Sequence, residues 1–273
     1  MIKLDPDLVA ATQQGSRAAL ETLVRSMQRP VFNLAIRMLA HGPDAEDATQ
    51  EILIKIITHL GDVKETEAAG AWAFRITCRH LVHARKQGTL EALRLDFKGF
   101  AADLYEGLED LPDSSIQDAE TQIMIEEIKI GCTLALLTCL SRSLRAAYIL
   151  GEIFELTDTE AASALEIDAA AFRQRLRRAR SLVTGFVEAR CGIVSPAARC
   201  RCDRRVTQAL RLGRVERGHP RTPPAETPAP SIAEVRANVA KLERGRAAAA
   251  LMRSNPDFTT EVGRFVVDVI DSA

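Results

Sequence analysis

"DAAAFRQRLRRARSLV" (Asp168–Val183) holds five arginines in sixteen residues, in a chain whose formal net charge is only −1. Set on a helical wheel, Phe172, Leu176, Ala179 and Val183 fall within about 60° of one another and form a stripe for burial. Arg173, Arg177 and Arg180 flank one side of it, Arg175 and Arg178 the other, with Gln174 on the outer face between them. The residues in front decide what this helix belongs to. "TDTEAASAL" has the capping-box pair Thr157 and Glu160, "EID" makes a tight turn, and Asp168 is placed to cap the arginine helix. A short helix, a three-residue turn and a basic second helix is the helix-turn-helix plan, whose second helix enters the major groove. Arg173, Gln174, Arg177 and Arg178 are the candidate DNA-binding residues there, reading base edges or neutralising phosphate. Charge alone fits a solvated face of an ordinary bundle as well; the capped pair in front favours DNA.

The rest of the chain reads as helix too. Aromatics make up 4% of its 273 residues, and the abundance of Ala and Leu favours helix over sheet. The expected fold is all-α: two helical domains joined by an acidic linker, with a small helical C-terminal extension. Residues 5–88 form the first domain. Its first long helix carries the stripe Leu20, Leu23, Val24, Met27, Val31, Leu34, Ala35 and Met38. "HGPD" breaks that helix, and Asp44 is expected to cap the next, which buries Ala45, Ala48, Ile52 and Ile56. A third helix over about 67–86 is expected to anchor on Trp72 and Ile76, with Cys78 in the core.

Residues 89–118 read as a linker with at most short helices, or as plain disorder. Residues 119–190 form the second domain, 191–218 a cysteine- and arginine-rich segment, 219–231 a Pro-rich hinge and 232–273 a helical extension. Charge is strongly segregated. Residues 96–127 hold ten acids and one lysine, net −9, whereas residues 168–217 hold thirteen arginines and four acids, net +9. This layout suggests a nucleic-acid surface and a separate acidic segment. The longest apolar run, around "CTLALLTCL", is far short of the roughly twenty residues a membrane span needs, so no membrane insertion is expected. The start "MIKLDPDLV" lacks the basic and apolar regions of a signal peptide, which points to the cytoplasm and to reduced cysteines. No paired carboxylates in a pocket-forming pattern, Gly-rich phosphate loop or Ser/His/Asp constellation suggests an enzyme.

Two segments resemble one family, the bacterial RNA polymerase sigma factors of the extracytoplasmic-function (ECF) group. "DAEDATQEILIKI" (Asp44–Ile56) is similar to that family's region 2 signature, and "RAAYILGEIFELTDTEAASALEIDAAAFRQRLRRARSLV" (Arg145–Val183) to region 4. "WAFRITCRHLVHARK" sits between them, where the family has its promoter-melting helix. The resemblance covers about residues 15–190. It implies that region 2 binds a coiled coil of the polymerase β′ subunit and the promoter's −10 element, and that region 4 binds the β-subunit flap and the −35 element. Asp47, Gln50 and Glu51 then become the polymerase-binding candidates. Arg75, Arg79, His83 and Lys86 line one side of the melting helix as a basic stripe able to track phosphate. His80 stands where the family often has Asn. An imidazole offers donor or acceptor by tautomer rather than both together, so the family's base preference at −10 does not carry over. Glu166 stands where the region 4 turn commonly has Gly, and a positive φ there would cost roughly 1 kcal/mol.

"CGIVSPAARCRCDRRV" resembles the tail of members with C-terminal extensions. Cys191, Cys200 and Cys202 lie among arginines, which would lower their thiol pKa. Three readings compete: a zinc site with Cys139 or Cys132 as fourth ligand, a redox or metal sensor, and incidental thiols. Beyond Ser231, Val235, Val239 and Leu242 form one apolar stripe and Phe265, Val266 and Ile270 another, on two helices that need a surface, expected on region 2 or region 4. In this group a membrane-anchored anti-sigma protein often holds the factor inactive, a role that a fused tail could take over. The reading is a promoter-specificity subunit with core RNA polymerase, promoter DNA and an anti-sigma protein as partners. The alternative is a free-standing helix-turn-helix regulator.

Overall fold

The computed structural model describes residues 2–84, 88–93 and 95–271. Its elements are α1 (Pro6–Gln13), α2 (Arg17–Leu39), α3 (Gly42–Thr58) and α4 (Ala69–His83), then α5 (Thr89–Ala92), α6 (Phe97–Tyr105) and α7 (Asp113–Ile116). They continue with α8 (Ala119–Thr138), α9 (Arg142–Tyr148), α10 (Asp158–Leu165), α11 (Ala169–Arg190) and α12 (Val206–Arg211), and end with α13 (Ile232–Val239), α14 (Arg244–Arg253) and α15 (Val262–Asp271). The described residues contain no strand beyond two isolated bridges, Cys191 with Cys200 and Ala225 with Phe258.

Helices α2, α3 and α4 pack into the first bundle, with α1 across α2. The stripe expected on α2 is buried throughout, but burial goes further: every residue from Val31 to Leu39 is buried. An amphipathic surface helix leaves one face wet, so something else covers this one. Helix α3 begins at Gly42 with His41 as its N-cap, not with Asp44. Proline is favoured at the first helical positions, and Pro43 lets the helix start ahead of Asp44. The Asp44 carboxylate instead accepts from the Thr89 amide (2.5 Å) and hydroxyl (3.1 Å), fastening the linker to α3. In α4 Phe74, Cys78 and Leu81 are buried with Ala69, Gly70, Ala73 and Thr77, whereas Trp72 and Ile76 are only half-buried. The periodicity was compatible with either face; contact with α3 and α10 selected the Phe74 face.

The linker is more ordered than its composition suggests. Phe100, Ala101 and Leu104 of α6 are buried, and Phe97 and Phe100 pack on Phe186 of α11 with ring centroids 5.6 and 5.5 Å apart. The second domain pairs α9 and α10 with α11. A π-helical turn, Ile149–Ile153, joins α9 to the loop before α10. It lies so close to α11 that a Cβ on Gly151 would sit 2.7 Å from Leu176 Cδ2. The tail has three helices rather than two. Helix α14 lies on α11 and the π turn, α13 on α14, and α15 across α2 and α3, so the extension touches both domains. Val235, Val239 and Val266 are buried as expected, but Leu242 and Phe265 are exposed. The expected α13 stripe ends because the helix stops at Val239.

The Pro-rich segment 219–231 is pinned to α8. The buried Glu127 carboxylate accepts from the Arg221 and Thr222 amides at 2.5 and 2.9 Å. The two opposite charge blocks also meet each other. Arg205 and Arg214 pair with Asp103 (3.2 and 2.6 Å), Arg204 with Asp110 (2.5 Å) and Arg217 with Glu120 (2.8 Å). The acidic segment is therefore not separate: it pairs with Arg204, Arg205, Arg214 and Arg217.

Candidate polymerase and nucleic-acid interfaces

The helix-turn-helix is built by local signals. Thr157 and Glu160 form a reciprocal capping box at the start of α10, and the Asp168 carboxylate accepts from the Ala171 amide at 2.8 Å at the start of α11. Phe172, Leu176, Ala179 and Val183 are all buried. That leaves Arg173, Gln174, Arg177 and Arg178 exposed on the outer face. Arg173 lies 3.7 Å from Asp158, an exposed pair of little energetic weight. Arg177 and Arg178 make no ion pair among the described residues. Arg180 is bound to Glu152 at the π turn and serves packing. The positive charge that remains unpaired on the second domain is thus concentrated where a groove-reading helix needs it.

The candidate melting helix is placed differently. Helix α10 packs on α4, and the Glu166 carboxylate clasps the Arg79 guanidinium, with Nε donating at 2.8 Å and Nη2 to both oxygens. Glu166 adopts φ 54° at the end of α10, the left-handed conformation that a glycine would take without strain. Arg75 is half-buried and His83 exposed; Lys86 lies outside the described residues. The His80 ring is half-buried, its Nε2 3.5 Å from a Glu51 carboxylate oxygen. Burial lowers the His80 pKa, against the attraction of Glu51.

Of the three polymerase-contact candidates on α3, Asp47 and Glu51 are exposed and Gln50 is half-buried. Glu51 thus faces α4 as well as solvent. It brings a candidate polymerase contact and a candidate base reader into one cluster, with Lys55 beside them.

Cys132, Cys191, Cys200 and Cys202 line one cavity of about 510 Å³ between the linker, α8 and the end of α11. Cys139 does not; its thiol points back to the Ala135 carbonyl. The expectation of lowered thiol pKa values is reversed. Burial raises all four, Cys200 to about 11, and outweighs the lowering effect of the nearby cationic charges. Among the described residues no three His, Cys, Asp or Glu side chains are placed to hold a metal ion.

One cluster escaped sequence reasoning. Arg145 is buried and uses all five of its donors. They go to the carbonyls of Leu137 (2.9 Å), Thr138 (3.2 Å), Leu140 (3.0 Å) and Met38, and to Glu91 (2.7 Å). Arg142 pairs with the same Glu91 at 2.6 Å. This joint ties α2, the linker and the α8–α9 turn together. Only a charged residue inside an otherwise apolar run hinted at it.

Comparison with known proteins agrees with this geometry. The family model for Sigma-70 region 2 matches residues 23–89, which span α2, α3 and α4. The chain is 27% identical over 182 residues to the RNA polymerase sigma-H factor of Pseudomonas aeruginosa, covering 66% of this chain and 91% of that one. It is 26% identical over 182 residues to the ECF RNA polymerase sigma factor SigE of Mycolicibacterium smegmatis, covering 65% of each. Residues 23–89 thus match Sigma-70 region 2, and about two thirds of the chain is similar to RNA polymerase sigma factors, one of them of the ECF group.

Proposed function

We propose that this chain is an ECF sigma factor that binds core RNA polymerase, directs it to promoters through two DNA-reading helices, and is regulated by its own C-terminal extension. It acts in the cytoplasm as an initiation factor rather than as a catalyst. The observation that carries the reading is the pairing of a region 2 bundle with a helix-turn-helix whose second helix exposes Arg173, Gln174, Arg177 and Arg178. The region 2 match disfavours a free-standing regulator, which has no use for that bundle.

On this reading Asp47, Gln50 and Glu51 meet the β′ coiled coil, and the second domain meets the β flap and the −35 element. Arg75, Arg79, His80, His83 and Lys86 meet the melted −10 element. The contact of α10 with α4 means that polymerase must part the two domains before the melting helix can work. The extension lies on both domains and takes the place of an anti-sigma protein. Run-off transcription with core polymerase on the DNA upstream of the coding sequence tests this. A specific transcript that is lost on Asp47→Arg is expected. Absence of both a transcript and co-elution with core polymerase would overturn the reading.

A further inference from the structure

Beside α8 and α15, which also pack on α2, residues 253–258 cover the polar face of α2 at Asn33 and Arg37. Arg253 donates to the Glu152 carbonyl at 2.7 Å and pairs with Glu155 at 3.2 Å. The Ser254 carbonyl accepts from the buried Lys129 ammonium at 3.4 Å, and the Asn255 amide donates to the Thr133 hydroxyl at 2.9 Å. All of these partners belong to the second domain. The next three residues turn to the first. The Pro256 carbonyl accepts from Arg37 at 3.1 Å, and the Asp257 carboxylate lies 3.4 Å from Arg29. Phe258 donates its amide to Asn33 Oδ1 (3.0 Å) and accepts from Asn33 Nδ2 (2.8 Å) at its carbonyl. The Arg37 guanidinium sits 5.6 Å from both the Phe258 ring and the Phe154 ring of the π turn. Six residues thus staple one DNA-reading domain to the other.

The chemistry of the joint suits release. Its first-domain side is Asn33 and Arg37, two polar residues buried at 5% and 3% exposure, rather than interlocked aliphatics. Burial lowers the Arg37 pKa to about 10, and its Nε has no partner among the described residues. Both groups regain full hydration when the cover leaves, so on α2 the open state presents polar groups while Phe258 itself becomes exposed. Residues 224–226 brace the staple from outside, with the Thr259 amide donating to the Pro224 carbonyl at 2.7 Å and Arg29 paired with Glu226.

We propose that residues 253–258 are a releasable latch that holds the two domains together, so that displacing it frees the melting helix α4 from α10. Its effect on transcription rests on the sigma-factor reading; its effect on domain contact does not. The test uses the full-length protein and two variants, Phe258→Ala and Asn255→Ala. Hydrogen–deuterium exchange is followed in α4 and α10, with α3 as an internal reference for folding, beside run-off transcription with core polymerase. Exchange in α4 and α10 is expected to rise at least tenfold in both variants while α3 keeps its protection, with a severalfold gain in transcript. Unchanged exchange in α4 and α10 overturns the latch. Raised exchange without a gain, where the wild type does direct a transcript, overturns its regulatory role. If no form directs a transcript or co-elutes with core polymerase, the sigma reading falls, and exchange alone still decides whether the latch exists.

Discussion

Replacing Arg145 with methionine should cost this protein a large part of its stability. The side chain is buried and all five donors are spent. Methionine fills the volume but leaves the carbonyls of Leu137, Thr138 and Leu140 at the end of α8, and that of Met38 at the end of α2, without this donor. A buried polar group left unsatisfied costs roughly 1–3 kcal/mol. Against these losses stands the burial of the guanidinium itself, which lowers its pKa and is relieved on substitution. Removing one partner of a buried ion pair nets about 3–5 kcal/mol, and the Arg142 pair keeps Glu91 from being wholly stranded. With an unfolding entropy of roughly 2.1 cal/mol/K per residue, a cost of about 4 kcal/mol corresponds to a melting point lower by about 7 °C if the chain unfolds as one unit. Urea unfolding followed by far-UV circular dichroism measures this. Arg145→Lys should fall between the two, since an ammonium keeps the charge but offers three donors at one point. A methionine variant within about 1 kcal/mol of wild type, with an unchanged denaturant slope, would refute the reasoning.

Two further outcomes follow from the charges. Burial would raise the Glu91 carboxyl, but the Arg142 hydrogen bond and the Arg145 and Arg142 charges outweigh it and hold it below the usual range. A carboxyl depressed in the folded state stabilises above its unfolded pKa, about 4.3, and that contribution is lost as pH falls through the lower folded value. Urea midpoints should therefore drop steeply below about pH 4.3, and less so in Glu91→Gln; equal slopes would show that Glu91 is not the sensitive group. Arg177→Ala, in the assembled holoenzyme, should reduce the slope of log affinity against log salt by about 0.9 if that residue neutralises one phosphate. An unchanged slope, measured by promoter-duplex anisotropy, would remove Arg177 from the DNA contact.

The helix-turn-helix was legible because its determinants are local. The Thr157–Glu160 box, the Asp168 cap and the stripe from Phe172 to Val183 each act over fewer than two turns, and the chain adopts what they specify. The same holds for the helical class; at Glu166 the turn keeps the left-handed conformation although the residue there disfavours it. Local pattern was weaker where two faces were nearly equivalent. Cys78 is buried in α4 as expected, but Phe74 takes the place of Trp72 and Ile76, and Phe265 stays exposed in α15, because the partner surface and not the spacing chose the buried side.

What only the tertiary structure decided are pairings across long stretches of chain. Asp103 and Asp110 are more than ninety positions from Arg204 and Arg214 in sequence, yet they pair with them, which leaves the unpaired arginines of α11 as the exposed positive charge. The domain joint at Arg145 and the latch at Asn33 and Arg37 likewise depend on carbonyls that any residue could supply. Sequence specifies a charge and a periodicity. Whether a charge meets its opposite, a backbone oxygen or water is set by which surfaces the fold brings within a few ångströms.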